Sequence, residues 1–244
     1  MRAVMVWLWF AIGAVAGSVA NAVIYRLPRG LSWVRGRSVC PDCKHNLGFW
    51  DLIPVLSWVM LRGKCRYCHS PIPYRYLLVE LLLGSAFTLS YLSNLGILSY
   101  FMIWITVVIA AMDWETMLVS DWLVGIWAIL VILSHLGDLS NLSYLGGAMA
   151  GIGVIGGIWI LSKKHAMGEG DIGIAAVMGL WLGWPRVAPA LWISFVAGAV
   201  YGLWLLVVGR KTMKSKIAFG PFLILGSWIG YLWGDKIISY VFHF

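Results

Sequence analysis

Charge is the scarcest property of this chain. Only 11% of its 244 residues are Asp, Glu, Lys or Arg, where a soluble domain carries about 25%. Acids are rarer than bases, with 10 Asp and Glu against 18 Lys and Arg. There is no low-complexity tract, no evident internal repeat and no polar linker long enough to separate one membrane domain from another. These shortages exclude a soluble enzyme and a disordered scaffold. The net charge of +8 sits in a few short loops, with no basic stripe interleaved with aromatics, so nucleic acid is not an expected partner. There are only four cysteines, and all fall within one loop.

What is present is apolar. Hydrophobic residues make up 61% of the chain, with 16 Trp and 28 Gly. Trp favours membrane interfaces, and Gly lets membrane helices approach closely. The fold class expected is an all-α polytopic membrane protein of about eight transmembrane helices. The expected spans are Ala3 to Ile24, Arg75 to Leu92, Ile97 to Thr116, Asp121 to Leu136, Leu145 to Leu161, Ile172 to Trp184, Val187 to Val208 and Ile217 to Ile238. Lys163-Lys164 and Arg210-Lys211 follow the fifth and seventh.

Ala14-Val15-Ala16 resembles a signal-peptide cleavage site. The loop that follows carries Arg26, Arg29, Arg35, Arg37, Lys44, Arg62, Lys64 and Arg66. Such a loop prefers the cytoplasm, so a retained first span with its N-terminus outside is expected. Eight spans then leave only Arg2, Arg186 and Lys236 outside, and 15 of the 18 basic residues inside. The chain divides into a first helix (1–25), a cytoplasmic cysteine-rich loop (26–74) and a transmembrane core (75–244).

That topology bears on two acids. Asp113 lies near the inner end of the third span, after sixteen residues without charge, and Asp171 lies at the inner start of the sixth. Both fall at the same face and depth, although nothing in the sequence makes spans three and six neighbours. Two carboxylates a few ångströms apart cannot both ionise easily, so the pair holds one shared proton. The ionised member can activate a water while the protonated one polarises a carbonyl, as in aspartic proteases. The plainer reading of an Asp just before a helix is an N-cap. Taken alone, Asp171 is better read that way, and Asp121 fits the role after Val119-Ser120. Glu80, inside the second span, reads as a packing partner.

Cys40-Pro41-Asp42-Cys43 and Cys65-Arg66-Tyr67-Cys68 are two C-x-x-C knuckles 21 residues apart. Four thiolates in this pattern suit tetrahedral zinc. A cytoplasmic loop disfavours stable disulfides. A closed four-cysteine site has no open position, so the metal is expected to be structural. His45, His69 and His165 read as solvated loop residues rather than ligands.

In order along the chain, these pieces resemble the bacterial type IV prepilin peptidases. The resemblance rests on Gly17-Ser18-Val19-Ala20-Asn21 through Tyr25-Arg26-Leu27-Pro28-Arg29, and on the two-knuckle loop with Ile53-Pro54-Val55-Leu56-Ser57-Trp58 inside it. It continues with Tyr74-Arg75-Tyr76 leading to Val79-Glu80-Leu81, Asp113 with Asp121 eight residues on, Gly168-Glu169-Gly170-Asp171, and Phe219-Gly220-Pro221-Phe222. The resemblance implies an intramembrane aspartic endopeptidase with Asp113 and Asp171 as its catalytic pair. Its substrates would be type IV prepilins or pseudopilins, cut after a glycine on the cytoplasmic side to release a short basic leader. It further implies S-adenosylmethionine as donor for N-methylation of the new terminus, the cysteine loop being the hallmark of bifunctional members. A peptidase without methyl transfer, or a non-enzymatic zinc-ribbon scaffold, would share the same outline. Two departures from the family pattern stand out: Ser120 where Pro is common, and Gly173 where Lys is common.

Overall fold

The computed structural model describes residues 2–34, 36–138, 141–164, 167–209, 212 and 215–242. Arg35, His165, Arg210 and Lys211 lie outside the described residues. The described chain is helical, with two isolated β-bridges. Its helices are α1 (Arg2–Arg26), α2 (Leu56–Met60), α3 (Tyr74–Leu92), α4 (Ile97–Thr116), α5 (Asp121–Ser134), α6 (Leu142–Leu161), α7 (Glu169–Leu182), α8 (Val187–Val207) and α9 (Gly220–Phe242).

Each of the eight expected apolar segments forms a helix. Among the described residues, five are long and apolar enough to cross a membrane: Arg2–Arg29, Tyr74–Leu92, Ile97–Thr116, Leu142–Leu161 and Val187–Val207. α5 and α7 have 14 residues each, short of the roughly 20 that span a bilayer squarely. α9 has 23 residues but carries Asp235 and Lys236. The coarse expectation of a multi-helix membrane protein therefore holds, with five helices meeting the length and apolarity standard.

The chain forms two compact units, Met1–Val108 and Ile109–Phe244. In the first, α1 and α3 run antiparallel. Gly13 sits against the Leu83 carbonyl and Gly17 against the Glu80 Cα. Side chains at either glycine would strike backbone, so their absence is what lets the helices touch. Asn21, only 1% exposed, donates from Nδ2 to the Tyr76 carbonyl at 3.0 Å. Trp104 Nε1 donates to the Ala16 carbonyl at 2.9 Å, and Trp9 stacks on Tyr100.

In the second unit α7 is central, packing against α5, α6, α8 and α9. Its contact with α6 is backbone on backbone. A Cβ at Gly147 would lie 2.3 Å from the Gly179 carbonyl oxygen, and one at Gly151 2.2 Å from that of Ala175. On the other side, Trp181 stacks on Tyr231 and meets Trp127 and Trp228 edge-on. Buried hydroxyls of Ser194 and Ser227 bond back to carbonyls of their own helices, so neither hydroxyl is an orphan donor in an apolar setting. Large apolar side chains elsewhere face outward, Met149, Leu161, Trp192 and Val207 among them. An outward apolar surface is what lipid requires.

Candidate active site

Asp113 stands one turn before the end of α4. The chain leaves the helix at Met117, which takes a left-handed φ of 53° while its N–H returns to the Asp113 carbonyl. Asp171 lies in the first turn of α7. The expected start of that helix at Ile172 is corrected to Glu169, with Gly168 as N-cap. Asp171 is thus not itself the N-cap, but its Oδ2 accepts the Gly168 N–H at 3.1 Å. The capping reading therefore accounts for one of its oxygens. Asp121 is also displaced: Ser120 is the N-cap of α5, Asp121 is the first helical residue, and no side-chain cap bond forms.

Both Asp113 and Asp171 belong to the second unit, and both are buried, at 4% and 6% exposure. Asp113 and Ile174, one turn beyond Asp171, meet at one residue. The link between them runs through Gly220, at the start of α9. Its N–H donates to Asp113 Oδ2 at 3.0 Å. A Cβ there would lie 2.7 Å from that oxygen and 3.1 Å from Cδ1 of Ile174, one turn beyond Asp171. Each acid therefore has its Oδ2 tied to a glycine amide at a helix start. Two buried acids held this way can share a proton and act on a water and a carbonyl. Gly220 belongs to the Phe219-Gly220-Pro221-Phe222 stretch, but its contact with Asp113 spans 107 residues and no local spacing announces it.

The four cysteines of the first unit converge. Their Sγ atoms all lie within 4.8 Å of one another, and those of Cys40 and Cys68 are 3.8 Å apart. Tetrahedral zinc with Zn–S bonds of about 2.3 Å places its sulfurs about 3.8 Å apart, so the donor set fits. The two knuckles repeat one design. Cys40 N–H donates to the His45 carbonyl and Cys65 N–H to that of Ser70. Lys44 and His69, each just after the second cysteine, both take φ near 58° (59° and 58°). Isolated bridges Val39–Asn46 and Lys64–Pro71 close the two loops. Hydrogen bonds with Ser70 draw the Cys68 thiol down to about 6, while that of Cys43, against the lowering effect of the His45 backbone, is pushed up to about 11 by partial burial and the neighbouring thiols. Among the described residues no histidine joins the cluster; His45 instead packs, with its ring tilted, against Tyr67.

Glu80 is buried, and its Oε2 accepts the Val55 N–H at 2.7 Å. Val55 has φ 64°, a conformation that costs a β-branched residue roughly 1–3 kcal/mol. Glu80 thus ties a strained turn of the cysteine loop to α3. The packing role expected for it misses this link, which joins residues 25 positions apart.

Residues 11–103 match the bacterial Peptidase A24 N-terminal domain, and residues 100–203 match the type IV leader peptidase family. A prepilin leader peptidase/N-methyltransferase of Aeromonas hydrophila is 34% identical, over 95% of this chain and 93% of its own. The chain belongs to the type IV leader peptidase family. Proteins of the same name from Legionella pneumophila and Pseudomonas putida are 32% and 31% identical, over 92% and 93% of this chain and 90% of each of theirs. No solved structure matches it. The family model's match ends at residue 203, before α9 and Gly220.

Proposed function

We propose that this chain is an intramembrane aspartic endopeptidase that removes the leader of type IV prepilins or pseudopilins on the cytoplasmic side and then N-methylates the new terminus. Asp113 and Asp171 form the catalytic pair. The observation that carries this is a pair of buried acids on separate helices of one unit, each anchored through one oxygen, with Gly220 touching both Asp113 and the Ile174 side chain one turn beyond Asp171. Family membership, and relatives named for both activities, favour an enzyme over a scaffold and a bifunctional enzyme over a peptidase alone.

The ionised member of the pair takes a proton from water as the water oxygen bonds to the scissile carbonyl carbon. The protonated member gives its proton to the carbonyl oxygen. As the tetrahedral intermediate collapses, a hydroxyl proton returns to the second acid, the C–N bond breaks, and the departing amine takes up the proton held by the first acid. Gly168 leaves the side of Asp171 that it faces clear of a side chain, and the missing side chain of Gly170 makes room for Val119.

Zinc would be held by Cys40, Cys43, Cys65 and Cys68. Four thiolates would leave it no open position, and it would lock the two knuckles together. S-adenosylmethionine supplies the methyl group in the second activity, and no residue is assigned to holding it. The cysteine-rich segment 26–74 serves that activity, and 75–244 carries the peptidase core. The protein lies in the bacterial inner membrane as eight spans, in contact with lipid. Its N-terminus is outside and its cysteine loop cytoplasmic, as the bias of basic residues favours.

The test is processing of a prepilin in detergent or liposomes with a labelled methyl donor. Wild type yields shortened, labelled pilin. Asp113→Asn and Asp171→Asn each abolish cleavage, because an amide can neither hold nor pass the shared proton. Cleavage by both variants at the wild-type rate ends this assignment.

A further inference from the structure

We propose that Gly220 is a positioning residue of the peptidase centre: its backbone N–H orients Asp113, and its lack of a side chain is what permits that contact. The inference rests on the aspartic-peptidase reading above. It goes further in giving a role to the Phe219-Gly220-Pro221-Phe222 stretch.

The first turn of α9 has little freedom in how it uses its amides. Pro221 has no N–H. The N–H groups of Phe222 and Leu223 both donate to the Phe219 carbonyl, at 3.0 and 3.2 Å. The Gly220 N–H alone remains of the first four, and it is the one that reaches Asp113 Oδ2. Pro221 prevents the bond from slipping one residue along the helix. One carboxylate oxygen of Asp113 is thereby occupied, and Oδ1 is left for the reacting atoms. The same arrangement holds Asp171 through Gly168, with one difference. Gly168 caps the helix that carries Asp171, so folding of α7 supplies it. The donor to Asp113 arrives on another helix, so the orientation of Asp113 depends on how α9 docks.

The fit is close. A Cβ at position 220 would lie 2.7 Å from Asp113 Oδ2 and 3.2 Å from its Cγ. Ordinary contact begins at 3.4 Å, so the carboxyl would have to move by about 0.7 Å, and a displacement near 1 Å costs on the order of 100-fold in rate. Gly220 has no positive φ, so alanine is acceptable to the backbone and any loss is not one of local strain.

The experiment compares Gly220→Ala with wild type on an intact prepilin and, separately, on a pre-cleaved pilin with methyl donor. The expected result is a fall of about 10- to 100-fold in kcat for cleavage with KM within about twofold, while methyl transfer and the thermal transition are unchanged. The double variant Gly220→Ala/Ile174→Val separates orientation from packing. It relieves the contact with Ile174 Cδ1 but not the one with Asp113, so cleavage stays low. Wild-type kcat in Gly220→Ala, recovery in the double variant, or an equal loss of methyl transfer would each overturn the proposal while leaving the aspartic-peptidase reading in place. Cleavage that survives Asp113→Asn would instead remove the reading on which it rests.

Discussion

Replacing Gly151 with alanine tests whether the α6–α7 crossing sets the position of Asp171. The added methyl would meet the Ala175 carbonyl oxygen at 2.2 Å and its carbon at 2.9 Å. Contact there is ordinary only from 3.4 Å, so the surfaces must move apart by about 1.2 Å. A helix carbonyl cannot rotate aside as a flexible side chain can, so α7 itself has to shift. Asp171 lies one turn before Ala175 on that helix, about 5–6 Å along the axis, and moves with it. A misplacement near 1 Å costs on the order of 100-fold in rate. Leader cleavage should therefore fall by about 10- to 100-fold in kcat in Gly151→Ala, and further in Gly151→Leu. Gly153→Ala is the control, because nothing lies within 4 Å of its Cβ position. The assay is the mobility shift of prepilin to pilin, timed at saturating substrate in detergent micelles. Wild-type kcat in a folded Gly151→Ala protein would refute the claim that close backbone contact positions the acid.

Other outcomes follow from the first unit. Purified protein should carry one zinc per chain, and Cys65→Ser should lose both the metal and methyl transfer to a pre-cleaved pilin while keeping leader cleavage; metal-free wild type with full methyl transfer would contradict this. Glu80→Ala should leave the Val55 N–H without its buried acceptor, at about 1–3 kcal/mol, and make the 54–63 turn more sensitive to limited proteolysis. Glu80→Gln, which keeps an acceptor, should restore most of the protection, and equal protection in Glu80→Ala would refute the tether. Asp51, with its side chain 5% exposed, is raised by burial, but the hydrogen bond from Arg66, with help from the Gly48 N–H, holds its carboxyl below its ordinary value on balance. A depressed carboxyl stabilises the loop above its unfolded pKa of about 3.9. That contribution is lost as pH falls through the folded value, so Asp51→Asn should flatten the acid side of the loop's stability profile, read from Tyr67 and Trp58 emission. An unchanged acid profile would sink the assignment.

Much of this protein is written locally. The run from Ile97 to Thr116 forms a helix with those same bounds, because a mainly apolar stretch of that length satisfies its backbone only by coiling on itself. The two C-x-x-C knuckles met as their spacing led one to expect, since each is a short turn whose own hydrogen bonds present both sulfurs. Asp113 stood out because it follows sixteen residues without a charge. Boundaries governed by capping were less legible. α7 begins three residues earlier than its apolar run, because Glu169 and Asp171 are at home in a first helical turn.

The pairing of helices was settled only in three dimensions. An apolar helix such as α6 or α7 shows no face that names its neighbour, because lipid and protein interior ask for the same residues. What decides is where a missing Cβ makes room for a neighbour: Gly13 and Gly17 for the backbone of α3, Gly147 and Gly151 for that of α7, Gly220 for the Asp113 carboxyl. The same holds for the Val55 N–H on Glu80. Composition and spacing determine that the chain builds apolar helices, a thiolate cluster and two acids out of place in hydrocarbon. Only the docking of α9 determines which oxygen of Asp113 is tied and which is left free to react, whereas Gly168 ties Asp171 from the start of its own helix.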